Sequence, residues 1–549
     1  MAMQRSRFLR MSALMALALS TTGLSQAKTP QHAAAPRPNV VVVLLDDLGF
    51  SDIGRFGSEI ATPTMDRLAQ RGVSMSQFYV NPRCSPTRAA LLTGKYPHEV
   101  GMGGLPLPSL MKTPPGPYQG YLNASVPTVA SRLKEAGYAT FMSGKWHLGD
   151  APQNWPRKFG FDRYFGLISG ASSYYELVTE TMGKRIMADE DTPFTPPAEG
   201  FYMTTAITDR AVDYIRTHEQ AAPDKPFMLY LAYTAPHWPL HAPDAAVRKY
   251  DGVYDKGWPD VRAKRLSRLK SQGMADLAVD AANWPAGRED WDRYPDKAGW
   301  ARRMQVHAAM VELADAGLAR VVETLEQSGD LDNTIILVMS DNGASGEDAA
   351  ARGIDKPEIL PGRQGSYVSI GKEGALMANT PFRDVKGTVF EGSVRSPFIA
   401  FWPKGLGRAK GLKSKGYATI LDVMPTILDA AGVAPDSGEG RSLLPVLKGK
   451  AALKPQPFYW EHYGWRGVRD GPWKLVSPAL SKDWLLFNID RDPGENKNLA
   501  SSQKALVARL SANWENWAKA THSESLDPKF LRMLDEGGKA AAKTPKAAQ

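Results

Sequence analysis

Asn39-Val-Val-Val-Val-Leu-Leu45 is an unbroken β-branched and leucine run, and it limits the fold more than any other stretch of the chain. A strand with one face in water alternates apolar with polar residues, so a run with no polar interruption has to be covered on both faces. Thr334-Ile-Ile-Leu-Val-Met-Ser340 repeats the pattern. Ahead of it, Val311, Ala314, Leu318, Val321, Val322 and Leu325 carry the spacing of an amphipathic helix that ends at Gly329. Helix followed by doubly buried strand predicts an α/β protein, with a large, mixed but mostly parallel sheet sandwiched by helices. Phe227–Ala232 and Phe398–Trp402 read as further strands, and Thr128–Gly137 and Thr419–Gly432 as helices, giving a large domain over residues 38–432. Glycine, proline and small polar residues dominate residues 433–457, which read as a linker. Beyond it, Phe458–Glu461, Gly467–Arg469, Trp473–Val476 and Leu485–Asn488 read as short strands and Ala505–Ala518 as a helix, a smaller C-terminal α+β domain over 458–535. Residues 536–549, rich in Lys, Ala and Gly, read as a disordered tail.

The N-terminus carries a different signal. Arg5, Arg7 and Arg10 precede an apolar run from Met11 to Leu24, and Ser25-Gln26-Ala27 supplies the small residues of a cleavage site. Residues 1–27 therefore read as a signal peptide and 28–37 as a Pro/Ala-rich linker, which predicts a periplasmic or secreted protein. The apolar run is too short to span a bilayer comfortably, so no stable membrane anchor is expected after cleavage. Of the formal net charge of +9, three arginines belong to the leader, and Lys539, Lys543 and Lys546 belong to the tail. The folded body thus lacks the concentrated basic face of a nucleic-acid reader. A single cysteine excludes an intramolecular disulfide in a compartment that would permit one.

Both buried runs end in polar groups, Asp46-Asp47 and Asp341-Asn342. Ligands of open α/β sheets sit beyond the carboxyl ends of the strands. Three carboxylates and an amide meeting there are oxygen donors for a hard cation, calcium or magnesium, without which they repel one another. Taken singly, each pair also reads as an ordinary strand-end turn. Asn81-Pro-Arg-Cys84-Ser-Pro-Thr-Arg88 reads as a loop entering a helix, with Cys84 at the positive end and Arg88 one turn along. That environment predicts an anionic nucleophile or substrate, although a lone cysteine is commonly a buried, inert residue.

Cys84-Ser-Pro-Thr-Arg88, with Leu92-Thr-Gly94 following, resembles the signature of the type I sulfatase family, in which the cysteine is converted to formylglycine (3-oxoalanine). Leu44-Leu-Asp-Asp47, Gly144-Lys-Trp-His147, Thr234-Ala-Pro-His237, Ser340-Asp-Asn-Gly343 and Thr380-Pro-Phe-Arg-Asp-Val-Lys386 follow that family's order at comparable spacings. Val468-Arg-Asp-Gly-Pro-Trp-Lys474 and Leu486-Phe-Asn-Ile-Asp490 extend the likeness into the small domain. Tyr233-Thr-Ala-Pro-His-Trp-Pro-Leu-His241 and Tyr254-Asp-Lys-Gly-Trp258 resemble the arylsulfatase branch. Ser393 stands where the family pattern has a glycine.

The resemblance implies an alkaline phosphatase-like sandwich and hydrolysis of sulfate monoesters through a hydrated formylglycine and a covalent sulfo-enzyme intermediate. It implies Asp46, Asp47, Asp341, Asn342 and the modified Cys84 as ligands of Ca2+, with Mg2+ as the alternative, and machinery in the host that oxidises Cys84. Arg88 would steady the hydrate, Lys145 and Lys386 would hold the sulfate oxygens, His147 would act as base and His237 as acid. Lys145 and His147, two apart on an extended segment, are expected to point the same way. A phosphonate or phosphate ester hydrolase of the same superfamily and a non-catalytic exported binder of sulfated ligands are the competing readings. His241 reads as a pocket-rim group, Trp284, Trp291, Tyr294 and Trp300 as either a substrate cleft or packing, and Ala344–Asn379 as a substrate-facing loop.

Overall fold

Alternate side chains of the strand Asn39–Leu45 (β1) enter two different cores. Val40, Val42 and Leu44 join one apolar cluster, and Val41, Val43 and Leu45 join the other. All six are fully buried, which at roughly 1.5–3 kcal/mol per buried aliphatic side chain makes β1 a main source of cohesion. The computed structural model describes residues 37–106, 115–177, 185–276, 279–285, 290–352, 354–407, 409–434, 438–450 and 453–523. The signal peptide, most of the first linker, the end of the small domain and the tail read from the sequence lie outside them. No helix among the described residues is long and apolar enough to cross a membrane.

The other strands of the large sheet are β2 (Val73–Tyr79), β3 (Ala139–Gly144), β4 (Arg163–Leu167), β5 (Met187–Asp189), β6 (Thr192–Phe194), β7 (Phe227–Ala232), β8 (Thr334–Ser340), β9 (Arg395–Phe401), β10 (Leu412–Ser414) and β11 (Ala418–Thr419). Their order is β10-β2-β9-β8-β1-β7-β3-β4-β5-β6, with β11 also beside β2. β1 is parallel to β7 and β8, and β3 to β7 and β4, while β9 runs antiparallel between β2 and β8. The strands β1, β2, β3, β7 and β8 therefore all end at one edge of the sheet. Helices Cys84–Thr93, Val129–Glu135 and Val423–Ala430 cover the Val42 face. Helices Pro63–Arg71, Met203–Ala221 and Lys297–Ser328 cover the Val41 face, and the last of these ends on the left-handed Gly329.

The small domain is an antiparallel sheet of β12 (Phe458–His462), β13 (Trp465–Asp470), β14 (Trp473–Ser477) and β15 (Leu485–Asn488), backed by helix Lys504–Thr521. Its Trp460, Val468, Leu475 and Leu486 belong to the same apolar cluster as Val42, so the two sheets share a core. A charged knot accompanies that junction. Lys474 Nζ lies 2.7 Å from Glu391 Oε1 and 3.0 Å from Glu495 Oε1, all three residues fully buried, and Glu495 Oε2 accepts the Glu391 N–H at 2.8 Å.

Candidate active site

The edge where the parallel strands end collects the polar residues that follow them. Ladder hydrogen bonds continue past the strands: Asp46 N–H to Ala235 O, Asp341 N–H to Leu45 O, and Lys145 N–H to Ala232 O, at 2.8–3.0 Å. These bonds hold Asp46, Asp341 and Lys145 on fixed backbone. Asp47 follows in the left-handed region, φ 64°, which aspartate tolerates better than most residues. The loop after β2 is tied to its helix by Thr87, whose hydroxyl accepts the Asn81 N–H at 3.0 Å, and this sets Cys84 in the first turn.

All the sequence-predicted site residues meet here. Asp46, Cys84 and Asp341 each offer a ligand atom within 4.8 Å of the others, as do Asp46, Asp47 and His237. Lys145 Nζ lies 2.6 Å from Asp46 Oδ2 and Lys386 Nζ lies 2.6 Å from Asp47 Oδ1. Arg88, fully buried, places Nη2 2.7 Å and Nε 3.0 Å from Asp341 Oδ2 and donates through Nη1 to Lys145 O at 2.8 Å. Its guanidinium is thus committed to the acidic cluster. Asn342 donates from Nδ2 to Asp47 Oδ1 at 2.7 Å, which turns its carbonyl oxygen the other way. Three carboxylates face three cations, yet Asp46 Oδ1, Asp47 Oδ2 and Asn342 Oδ1 remain buried without a hydrogen-bond partner among the described residues. Unpartnered buried oxygens on three neighbouring residues are costly unless a cation takes them up, and an all-oxygen donor set fits a hard divalent ion.

Burial shapes the acid–base groups. It pushes the Cys84 thiol up, against the pull of Lys145 and Lys386. The unmodified side chain is therefore a thiol, and not the anion that its place at a helix N-terminus alone predicts. Burial also drives Asp341 upward, with Asp46 adding to it, whereas Asp47 is held low because Lys386 and His237 outweigh its own burial. His147 sits well below the ordinary histidine range through burial, with Lys145 and Arg88 adding to the effect, so it is a neutral imidazole able to accept a proton. Burial brings His237 down to about 3, with Asp47 opposing. Its Nδ1 lies 2.5 Å from Trp238 O and so carries the proton, leaving Nε2, 3.5 Å from Asp47 Oδ2, as the atom that gains or loses one.

Several expectations need correction. Lys145 and His147 both reach the site, but not by alternation along an extended segment: His147 has φ 58°, and its N–H bonds to Ile168 O beyond β4. A left-handed residue breaks the alternation on which the expectation rested. His241 is no rim group. It is 1% exposed, with Nε2 2.8 Å from Ser366 O and Nδ1 accepting the Tyr174 N–H, and it ties Ala344–Asn379 to the body. Trp300 is fully buried and packs on Trp258 and Trp291 at ring distances of 5.5 and 5.3 Å, while Trp284, Trp291 and Tyr294 pack on Trp258 at 4.9–5.9 Å around the second core, so this cluster is packing.

Gly170 gave no signal in the sequence. A Cβ there would stand 2.3 Å from His147 Nε2, so only glycine leaves the imidazole its place. Gly170→Ala is expected to lower kcat about a hundredfold with little change in melting temperature, the effect of displacing a reacting group by about 1 Å. Steady-state rates beside a thermal melt measure both.

The chain matches the family model described as Sulfatase over residues 38–433 and that described as N-sulphoglucosamine sulphohydrolase, C-terminal, over residues 382–519. It is 34% identical over 532 residues to an uncharacterized sulfatase of Schizosaccharomyces pombe, covering 88% of this chain and 94% of that protein. It is 33% identical over 443 residues to an arylsulfatase of Klebsiella aerogenes, covering 76% and 92%. The crystal structure of Ps i-CgsB in complex with k-i-k-neocarrahexaose superimposes with a TM-score of 0.67 at 26% identity, covering 92% of this chain and 98% of that one. On the strength of these matches along almost its whole folded length, the chain belongs to the type I sulfatase family and is an enzyme that hydrolyses sulfate esters.

Proposed function

We propose that this sulfatase is an exported, calcium-dependent hydrolase of aryl sulfate monoesters whose nucleophile is made by oxidising Cys84 to formylglycine. The observation that carries the reading is the group of unpartnered buried oxygens on Asp46, Asp47 and Asn342 next to Asp341 and Cys84. Those four residues and the modified Cys84 would hold the ion. Calcium is favoured over magnesium because magnesium is bound by one or two carboxylates and keeps its waters, while calcium accepts a dedicated cage of protein oxygens. A divalent ion bound there supplies positive charge against the ester oxygens and acidifies the attacking hydroxyl. The hydrated aldehyde supplies two hydroxyls on one carbon, one to attack sulfur and one whose proton loss releases sulfate.

The remaining work falls to the chain's own side chains. Lys145 and Lys386 turn from Asp46 and Asp47 toward the sulfate oxygens and hold them as cations. Arg88, locked on Asp341, fixes that carboxylate and lends positive charge beside Cys84. Neutral His147 takes the proton from the second hydroxyl, and His237 Nε2 delivers one to the departing alcohol oxygen. His237 is neutral in the free site, so its acid role needs a second proton on Nε2, which an incoming anionic ester stabilises. The raised pKa of Cys84 argues against use of the thiol itself as the nucleophile, because an un-ionised thiol is a poor one. Export rests on the leader over residues 1–27.

Chelation is expected to lower activity about a hundredfold or more, with recovery on adding calcium. Recovery with magnesium alone would reassign the ion. Rates on an aryl sulfate, an aryl phosphonate and a sulfated oligosaccharide test the substrate class, and faster turnover of either of the last two would overturn the aryl reading.

A further inference from the structure

A buried charged cluster that the proposed chemistry does not use lies close to Asp47. Arg265, fully buried, bridges Asp52 (Nη1 to Oδ1, 2.6 Å) and Glu59 (Nη2 to Oε1, 2.7 Å; Nε to Oε2, 2.9 Å). The other Asp52 oxygen lies 2.9 Å from His307 Nε2 and also accepts the Gly49 N–H at 3.0 Å. Burial works against the Asp52 charge, but the Arg265 guanidinium and the hydrogen bond from His307 keep it in its carboxylate form. A carboxylate only accepts, so His307 Nε2 carries a proton, and in the neutral imidazole Nδ1 presents a lone pair.

That Nδ1 is buried without a hydrogen-bond partner among the described residues, and so is Asp47 Oδ2, which also lies 3.5 Å from His237 Nε2. Both residues line one cavity of about 10 Å³, together with Ser345 and Ser369 among others. Ser345 Oγ accepts the Glu347 N–H at 3.4 Å, and its own proton is uncommitted among the described residues. A cavity of about 10 Å³ holds one water, and buried waters make about three hydrogen bonds. Two acceptors and one hydroxyl donor around such a space match the two protons and a lone pair of a single water molecule.

We propose that one structural water occupies this cavity, donating to His307 Nδ1 and Asp47 Oδ2 and accepting from Ser345, so that His307 is a positioning residue for the Asp47 carboxylate. The inference rests on the reading of Asp47 as a metal ligand. Asp47 sits on left-handed backbone just past the end of β1, and the water fixes one lone pair of Oδ2 while leaving the other for the ion. The cluster of Asp52, Arg265 and Glu59 in turn fixes the imidazole.

Calorimetric titration of calcium into the metal-stripped full chain tests this without any turnover assay. His307→Phe, which cannot bond the water, is expected to weaken calcium binding roughly 10- to 100-fold. His307→Gln, whose amide can donate toward Asp52 and accept from the water, is expected to restore most of it. Ser345→Ala, which leaves the Asp52 cluster untouched, is expected to shift affinity in the same direction as His307→Phe. A folded His307→Phe with wild-type affinity overturns the inference, and if that variant does not fold, wild-type affinity in Ser345→Ala does so. Wild-type protein that binds no divalent ion removes the metal reading itself, and this inference with it. A high-resolution crystal structure of the calcium-loaded protein with no water between His307 and Asp47 would also overturn it.

Discussion

Cys84→Ala is expected to lower kcat/KM by at least about 10⁴-fold, some 5 kcal/mol or more of transition-state stabilisation, while the protein stays folded. The stability cost should stay near 1 kcal/mol, because alanine is the best helix former and only one buried sulfur atom is lost. The two measurements have to be read together. A near-wild-type melting curve in an inactive variant assigns the loss to chemistry, whereas residual activity within tenfold of wild type would remove Cys84 from the reaction. Mass spectrometry of the peptide containing Cys84 adds the second half of the test, since the active enzyme should carry an aldehyde carbon where the gene encodes a thiol. An intact thiol in fully active protein would contradict the oxidation.

The largest expected effect on stability lies at the junction of the two sheets. Lys474→Met should destabilise the protein by about 3–5 kcal/mol, because it leaves Glu495 as a buried acid without its cation and Glu391 with Arg395 as its one remaining ion-pair partner among the described residues. The loss should depend on pH in a definite direction. Glu495 is raised to about 7 by burial, with Lys474 opposing and Glu391 adding to it, against an ordinary value of 4.5. A carboxyl raised in the folded state contributes stability that is present below its unfolded value and is lost as pH rises through the folded value. Removing the lysine strengthens that tendency, so the deficit should be smaller near pH 5 than near pH 8. Urea melts of both proteins at the two pH values would measure it, and equal deficits would show that Glu495 does not titrate between them.

The sheet was readable where burial on both faces left its mark. β1, β7 and β8 are continuous apolar runs, and their limits match the sequence expectation to the residue. β2 was missed because Val-Ser-Met-Ser-Gln-Phe-Tyr mixes polar residues into a strand that is nonetheless almost wholly buried. β3 and β4 were missed because six and five residues with a glycine in each give too short a pattern. The site was legible for a different reason: its ligands follow strands that end together, so the polar residues after each run point to the same edge. Partnerships within the site were not legible. Arg88 reaches Asp341 across 253 residues and His307 reaches Asp52 across 255, and no periodicity in the chain encodes such contacts. Gly170 and His241 show the same limit, since one acts through what it lacks and the other through backbone groups that its neighbours supply.

A strand whose successive side chains are gripped by opposing cores has no soft direction in which to bend. Amide hydrogens along β1 should exchange with solvent only when the whole domain opens, slowly in calcium-free protein and more slowly still once calcium is bound. The mount for Asp46 would then outlast the ion, and an enzyme emptied by a chelator could be refilled within the time calcium needs to diffuse in, with no refolding step.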